Sequence, residues 1–172
     1  MKELFVTFLQ SPSAENYRQL FTAIEESEYY DPHSDPLEEV GQLHSEGKTE
    51  QAMEKLSAAF PNLLLSPTAH QIAGFLHHKL GNEDGANMEM MISRACLEGI
   101  LASGDGTKDS PYQVLRVSDE YDLLQFLEKE MKSQSLTEVD GRHCDVMRCT
   151  DGSEYWFDIS ASMNKLREQF GD

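Results

Sequence analysis

An α+β fold is predicted for this 172-residue chain, all-helical in its first part and mixed in its second. Three observations predict it. Gly47-Lys-Thr-Glu-Gln-Ala52 recurs as Gly81-Asn-Glu-Asp-Gly-Ala86, at the offset of a repeated helix–turn–helix unit. Apolar residues keep helical spacing up to Leu101, then alternate after Gly104-Asp105-Gly106. Asp151-Gly152 between two alternating runs signals a β-hairpin. The expected organisation is residues 1–101 as helical hairpins, packed on a small mixed α/β half with an antiparallel hairpin, residues 102–172. The two halves are expected to form one compact unit, since a chain of this length buries roughly 70% of its unfolded surface.

In chain order, Leu4, Phe5, Phe8 and Leu9 predict a short helix stopped by Pro12. Ser13 caps the next, which runs to about Ser27, because Tyr17, Leu20, Phe21 and Ile24 form one stripe. The prolines and small polar residues of segment 28–36 make a linker. Ser34 or Asp35 then opens a helix striped by Leu37, Val40 and Leu43, ending near Gly47. Its partner carries Ala52, Leu56, Ala59 and Phe60 and stops at Pro61. Thr68 caps a third helix with Ile72, Phe75, Leu76 and Leu80, ended by Gly81; a fourth turns Met88, Met91, Ile92, Ala95 and Cys96 to one side. Glycines suit the left-handed turn between paired helices, and the alanines permit close approach.

Beyond Ser103, residues 112–117 alternate like a strand. Ser118 caps a helix to about Lys132, with Tyr121, Leu124 and Leu127 inward. Leu136–Val139, Cys144–Cys149 and Glu154–Ile159 read as strands. Ser160 or Ser162 caps a last helix striped by Met163, Leu166 and Phe170.

Acids outnumber bases 31 to 14, for a net charge of −17, and no segment is basic. Nucleic acid and anionic membrane surfaces are therefore disfavoured as partners, and a basic protein is favoured. No apolar run approaches the roughly 20 residues of a membrane span. Three cysteines and no leader peptide point to a reduced cytoplasm.

The chemistry-bearing residues are sparse. His70, His77 and His78 cluster, as do His143, Cys144 and Cys149, but neither group has the paired short spacing of a zinc site, so no metal or cofactor is expected. Gly104-Asp105-Gly106 lacks the Lys-Ser/Thr of a phosphate loop and reads as a tight turn. Asp119, Glu120 and Asp122 fall in one helical turn, where the helix dipole explains them better than acid–base catalysis does; their carboxylates are also candidates for contact with a basic partner. On the last strand Tyr155, Phe157 and Ile159 face the core, leaving Glu154, Trp156 and Asp158 on the other side. An indole flanked by carboxylates suits an interface anchor; burial under a helix is the equal alternative.

Gly74, Gly81 and Ala86, with Gly47, Ala52 and Ala59 in the first copy, resemble the small-residue pattern of tetratricopeptide repeats, although Val40 replaces the usual small residue and only two copies are visible. That resemblance places Leu37, Gly41, His44 and Ser45, and then Gln71, Phe75, His78 and Lys79, on an inner face, with His44 and His78 equivalent. Such a face is either an open groove or is filled by residues 1–27 or the α+β half. Ile100-Leu-Ala-Ser-Gly-Asp-Gly106, Val117-Ser-Asp-Glu-Tyr121, Ser133-Gln-Ser-Leu136, Cys144-Asp-Val146 and Tyr155-Trp-Phe-Asp158 together resemble a mainly bacterial family of unknown function that couples a repeat-like helical half to an α+β half. The resemblance implies an architecture and no catalytic activity. By analogy it suggests an acidic immunity protein that blocks the active site of a basic toxin. The expectation is thus a non-enzymatic protein-binding module. An adaptor or chaperone holding peptide segments in the repeat groove is the alternative, and an uncharacterised enzyme the third.

Overall fold

Residues 1–171 are described by the computed structural model, and they hold eight helices and four strands. Helices α1 (Lys2–Gln10) and α2 (Ala14–Glu25) follow the predicted stripes. Ser13 starts α2 by accepting the Asn16 N–H, and Tyr17, Leu20, Phe21 and Ile24 are all buried. The expected linker is a pinned strap. Tyr30 is buried and donates its hydroxyl to the Leu115 carbonyl at 2.7 Å. Asn62 brackets Asp31 from both sides, and the Arg116 guanidinium donates to the carbonyls of Asp31, Pro32 and Ser34.

Two helical hairpins follow, α3 (Pro36–Ser45) with α4 (Thr49–Leu63) and α5 (Pro67–Lys79) with α6 (Glu83–Ser103). Gly47 and Gly81 stand at φ +78° and +76°, the left-handed turn the repeat requires. Pro61 does not stop α4. It sits in the last turn, where one missing N–H bond is outweighed by carrying Leu63 into the core. Ser66 rather than Thr68 caps α5, accepting the Ala69 N–H; Thr68 lies one step inside the helix and donates its hydroxyl to Asp122.

The faces of α5 and α6 also differ from the large-residue stripes. Buried on α5 are Ala69, His70, Ala73, Gly74 and Leu76, while Phe75 and Leu80 are exposed. On α6 Ile92, Ser93, Cys96, Leu97 and Ile100 turn inward, and Met88 and Met91 outward. The cause is the close approach of the two helices. A Cβ on Gly74 would stand 3.2 Å from the Ala86 carbonyl, so small residues must occupy the contact and bulky ones are displaced to its rim.

In the second half, β1 (Tyr112–Gln113) is only a bridge, and α7 (Val117–Phe126) starts at once, with Arg116 rather than Ser118 before its first turn. It stops six residues short of Lys132, because Glu128 at φ 55° turns the chain into β2 (Met131–Val139). Strands β3 (Arg142–Cys149) and β4 (Glu154–Asp158) complete one sheet in the order β1-β4-β3-β2, with β1 parallel to β4 and the other pairs antiparallel. The Asp151-Gly152 turn joins β3 to β4 as expected, and Asp140-Gly141, at φ 52° and 75°, makes a second hairpin between β2 and β3. Helix α8 (Ser160–Phe170) buries Ala161 and Ser162, and Met163 packs on the core; the Phe170 side chain of the predicted stripe lies outside the described residues. Ser160 does not cap α8 with its hydroxyl, which accepts the His143 N–H instead; Asp158 takes the Ser160 N–H.

The main core joins Phe8, Tyr17 and Ile24 to Cys96 and Ile100 of α6 and to Leu123, Met147 and Phe157. A second cluster, including Val40, Leu56, Leu63, Ala73 and Leu76, fills the hairpins. The 101/102 boundary therefore runs through the main core and does not separate two cores. Gly99 marks where α6 meets α1 and α2: a Cβ there would overlap the Tyr17 ring and press on Phe8. Among the described residues no helix is long and apolar enough to cross a membrane.

Candidate functional site

A ring contact between α3 and α5 brings together part of the predicted inner face. The His44 imidazole stands edge-on to the Phe75 ring, centroids 5.1 Å apart, and the Lys79 ammonium sits 5.2 Å from the same ring centre. His78 does not join them. Its Nδ1 lies 2.7 Å from Glu83 across the α5–α6 turn. Gln71 donates to Ser93 of α6. Phe75 is 45% exposed, so neither the N-terminal helices nor the sheet fills this face there. Those helices lie elsewhere: Phe5 stacks on His70, and α2 packs on α6.

His70 itself is a buried brace. Its ring is stacked between Phe5 and Phe60, with Nδ1 2.6 Å from Glu89 and Nε2 3.0 Å from the Leu64 carbonyl. Both ring nitrogens are thus held by oxygen atoms of other elements.

The Trp156 face falls between the two alternatives of free anchor and burial. The indole is half-buried beside Val146, and its N–H donates to Glu154 at 2.8 Å. The other Glu154 oxygen holds Arg148 at 2.9 Å, and Asp158 caps α8. Both carboxylates that flank the indole are thus engaged within the chain, because the hairpin and the helix start use them first.

Asp119 and Glu120 depart furthest from expectation. As candidates for contact with a partner they are withdrawn, being 2% and 0% exposed. Sequence spacing puts them on the solvated end of a helix, but α7 begins beneath the sheet and the strap. One Asp119 oxygen accepts the Arg116 N–H at 3.1 Å; the other has no partner. Burial, then the neighbouring Asp122, pushes Asp119 up to about 8, with Arg116 opposing. Gln134 of β2 donates to Asp145 at 2.6 Å and more weakly to Glu120 at 3.4 Å, and Tyr121 donates to the Gln134 carbonyl. Burial, then Asp145 and Asp119, pushes Glu120 up to about 9, so at neutral pH it holds its proton. Asp122 is also raised by burial and is tied to Thr68 through that residue's N–H and hydroxyl. A carboxylic acid of raised affinity is a general acid in form, yet Glu120 meets no solvent. No hydrogen bond links His143 to either acid among the described residues; its main-chain N–H is bonded to the Ser160 hydroxyl.

The starts of α3, α5, α7 and α8 meet around a cavity of about 470 Å³ lined by His33, Ser34, Thr68, Arg116 and Ser162 among others. Its positive helix ends are already answered by Asp35, Ser66, Asp122, Asp119 and Asp158. Around Gly104-Asp105-Gly106, the amides of Asp105 and Gly106 both bond the Ser110 carbonyl, and the Asp105 carboxylate bonds Thr107. Cys96, Cys144 and Cys149 are unlinked thiols, all buried. Among the described residues no three His, Cys, Asp or Glu side chains are placed to share a metal ion.

Sequence reasoning missed Arg116, Gln134 and Asp145. Arg116 carried one signal, a lone base just before an acid-rich helix start. Gln134 and Asp145 carried none, since their partners come from other elements.

The family model described as a domain of unknown function (DUF4919) matches residues 12–168. No curated protein matches the chain, and no solved structure does.

Proposed function

Because the chain belongs to the DUF4919 family, whose description assigns no activity, we propose from the geometry that it is a non-enzymatic module that binds a basic protein. The observation that carries this reading is the open face of α3 and α5. There an exposed aromatic ring, Phe75, stands between His44 and Lys79 in a chain of net charge −17. Solvated carboxylates supply the steering field, and Phe75 supplies the apolar anchor that field alone lacks. Within that class the reading is an immunity-type inhibitor, an acidic chain that covers a cationic catalytic cleft and blocks it sterically. Asp119 and Glu120 take no part in contact, and Trp156 is a secondary candidate, since its indole N–H is already satisfied.

The test starts with capture of partners from the native cell, identified by mass spectrometry. The expected partner is cationic and is released by salt, because surface charges are screened over about 8 Å at physiological ionic strength. Phe75→Ala is expected to weaken binding at least about tenfold while leaving stability within about 0.5 kcal/mol. Binding indifferent to both salt and Phe75→Ala refutes the proposal. Loss of binding in His78→Ala with none in Phe75→Ala would instead favour a groove for peptide segments.

A further inference from the structure

Strand β2 is nine residues long, lies at the edge of the sheet, and is exposed from Lys132 through Leu136. Edge strands in natural proteins are kept short, covered or interrupted by proline, because a row of open N–H and C=O groups accepts any extended chain. Along Ser133–Val139 no proline interrupts the strand, and its guards are one charge at each end, Lys132 and Glu138, with the irregularity between Met131 and Ser133.

The two-residue turn at Asp140-Gly141 sets which groups are open. It makes Val139 and Arg142 a pair that exchanges both main-chain bonds. Counting back, Thr137, Ser135 and Ser133 bond β3, while Glu138, Leu136 and Gln134 turn their main-chain groups to the empty edge. Apart from Gln134, which mirrors Leu136, the strand is chemically matched about Ser135. Ser133 mirrors Thr137, Lys132 mirrors Glu138, and Met131 mirrors Val139. Lys132 is the residue set outside the regular ladder by the irregularity between Met131 and Ser133, and neither it nor Glu138 forms an ion pair among the described residues.

We propose that β2 is a self-recognition edge, pairing antiparallel with β2 of a second copy of this chain about a two-fold axis at Ser135. In that register Gln134 and Leu136 of opposite copies exchange main-chain bonds, as their outward groups require. Ser133 meets Thr137, and each Lys132 reaches the other copy's Glu138. A two-fold interface must be self-complementary, and this segment is so in its main-chain groups and its end charges, with Gln134 beside Leu136 as the one unmatched side-chain pair. Pairing also covers Leu136, 56% exposed, and Tyr121, 42% exposed, which lies next to Gln134 through its hydroxyl. The net charge of −17 on each copy opposes association at low salt, so physiological ionic strength is the condition to use.

The experiment is sedimentation equilibrium on the full chain. Wild type is expected to dimerise with concentration. Lys132→Glu and Glu138→Lys, both at exposed positions, should each weaken the dimer about tenfold by setting like charges opposite one another twice. The double variant with both changes should restore it. Leu136→Pro, which removes an N–H aimed at the open edge and none bonded to β3, should give a monomer, with circular dichroism reporting the retained fold. Rescue by the double exchange is specific to this pairing. The proposal is overturned by a wild type that stays monomeric to millimolar concentration, by a dimer that ignores the single charge changes, or by single losses that the double variant does not repair. A monomer that instead takes up an unrelated extended peptide along β2 also overturns it, because the edge would then serve a foreign strand.

Discussion

Replacing Glu120 by glutamine should stabilise this chain at neutral pH and not at acid pH. The wild-type carboxyl is fully buried, one of its oxygens has no partner, and it keeps its proton to about pH 9 when folded, against an ordinary value of 4.5. Its folded affinity for the proton is raised. The stability it contributes is therefore fully present below pH 4.5 and is lost as pH climbs toward about 9, because only the unfolded chain releases the proton. Each pH step over that interval costs about 1.4 kcal/mol, so about 3 kcal/mol is gone by pH 7. Glutamine does not titrate, and its carbonyl still accepts from Gln134. Its amide N–H groups enter a site where one carboxyl oxygen found no partner, which costs about 1 kcal/mol at any pH. The variant should thus be slightly weaker than wild type near pH 4.5 and about 2 kcal/mol stronger at pH 7. Urea unfolding of both proteins across that range measures the difference directly, and the other titrating groups cancel in it. A difference that stays flat with pH, or falls as pH rises, refutes the placement of Glu120 as a buried neutral acid.

Other outcomes follow from single contacts. Tyr30→Phe leaves the buried Leu115 carbonyl without its donor and should cost about 1–2 kcal/mol, with faster proteolysis in the 26–35 strap. Gly99→Ala places a methyl group against Tyr17 and Phe8 and should cost about 1–3 kcal/mol by urea unfolding; an unchanged midpoint would mean that α1 and α2 do not pack on α6 as described. Tyr17→Phe removes the bond to the Gln113 carbonyl and should cost about 1 kcal/mol; no loss would mean that this carbonyl finds another donor.

Much of the fold was legible because its signals are local. Ser13 caps the helix it was expected to cap, and of the two candidates Ser34 and Asp35 it is Asp35 that caps α3, since a side-chain oxygen three residues before an N–H needs no distant help. Asp151-Gly152 turns the chain where predicted for the same reason. Asp140-Gly141 is an equally local signal and ends β2 at Val139 as expected, while the helix expected to reach Lys132 cut the start of that strand. The helix expected to reach Lys132 ends at Phe126 because Met131 and the residues from Ser133 on gain more from the sheet than from further helical turns, a comparison that requires β3 to be in place. For the site, the repeat pattern places both His44 and Phe75 on the inner face, whereas their contact and the exposure of Phe75 depend on how the helices pack and on where α1 and α2 settle.

Sequence alone determined the order of helices and strands, the two hairpin glycines and the acidic charge, because spacing, capping and charge are properties of neighbours along the chain. Tertiary structure decided which faces of α5 and α6 turned inward, the withdrawal of Asp119 and Glu120 from solvent, and the open edge of β2. Those depend on how closely separate elements approach one another. That distance is set by the whole packed core and by no single segment.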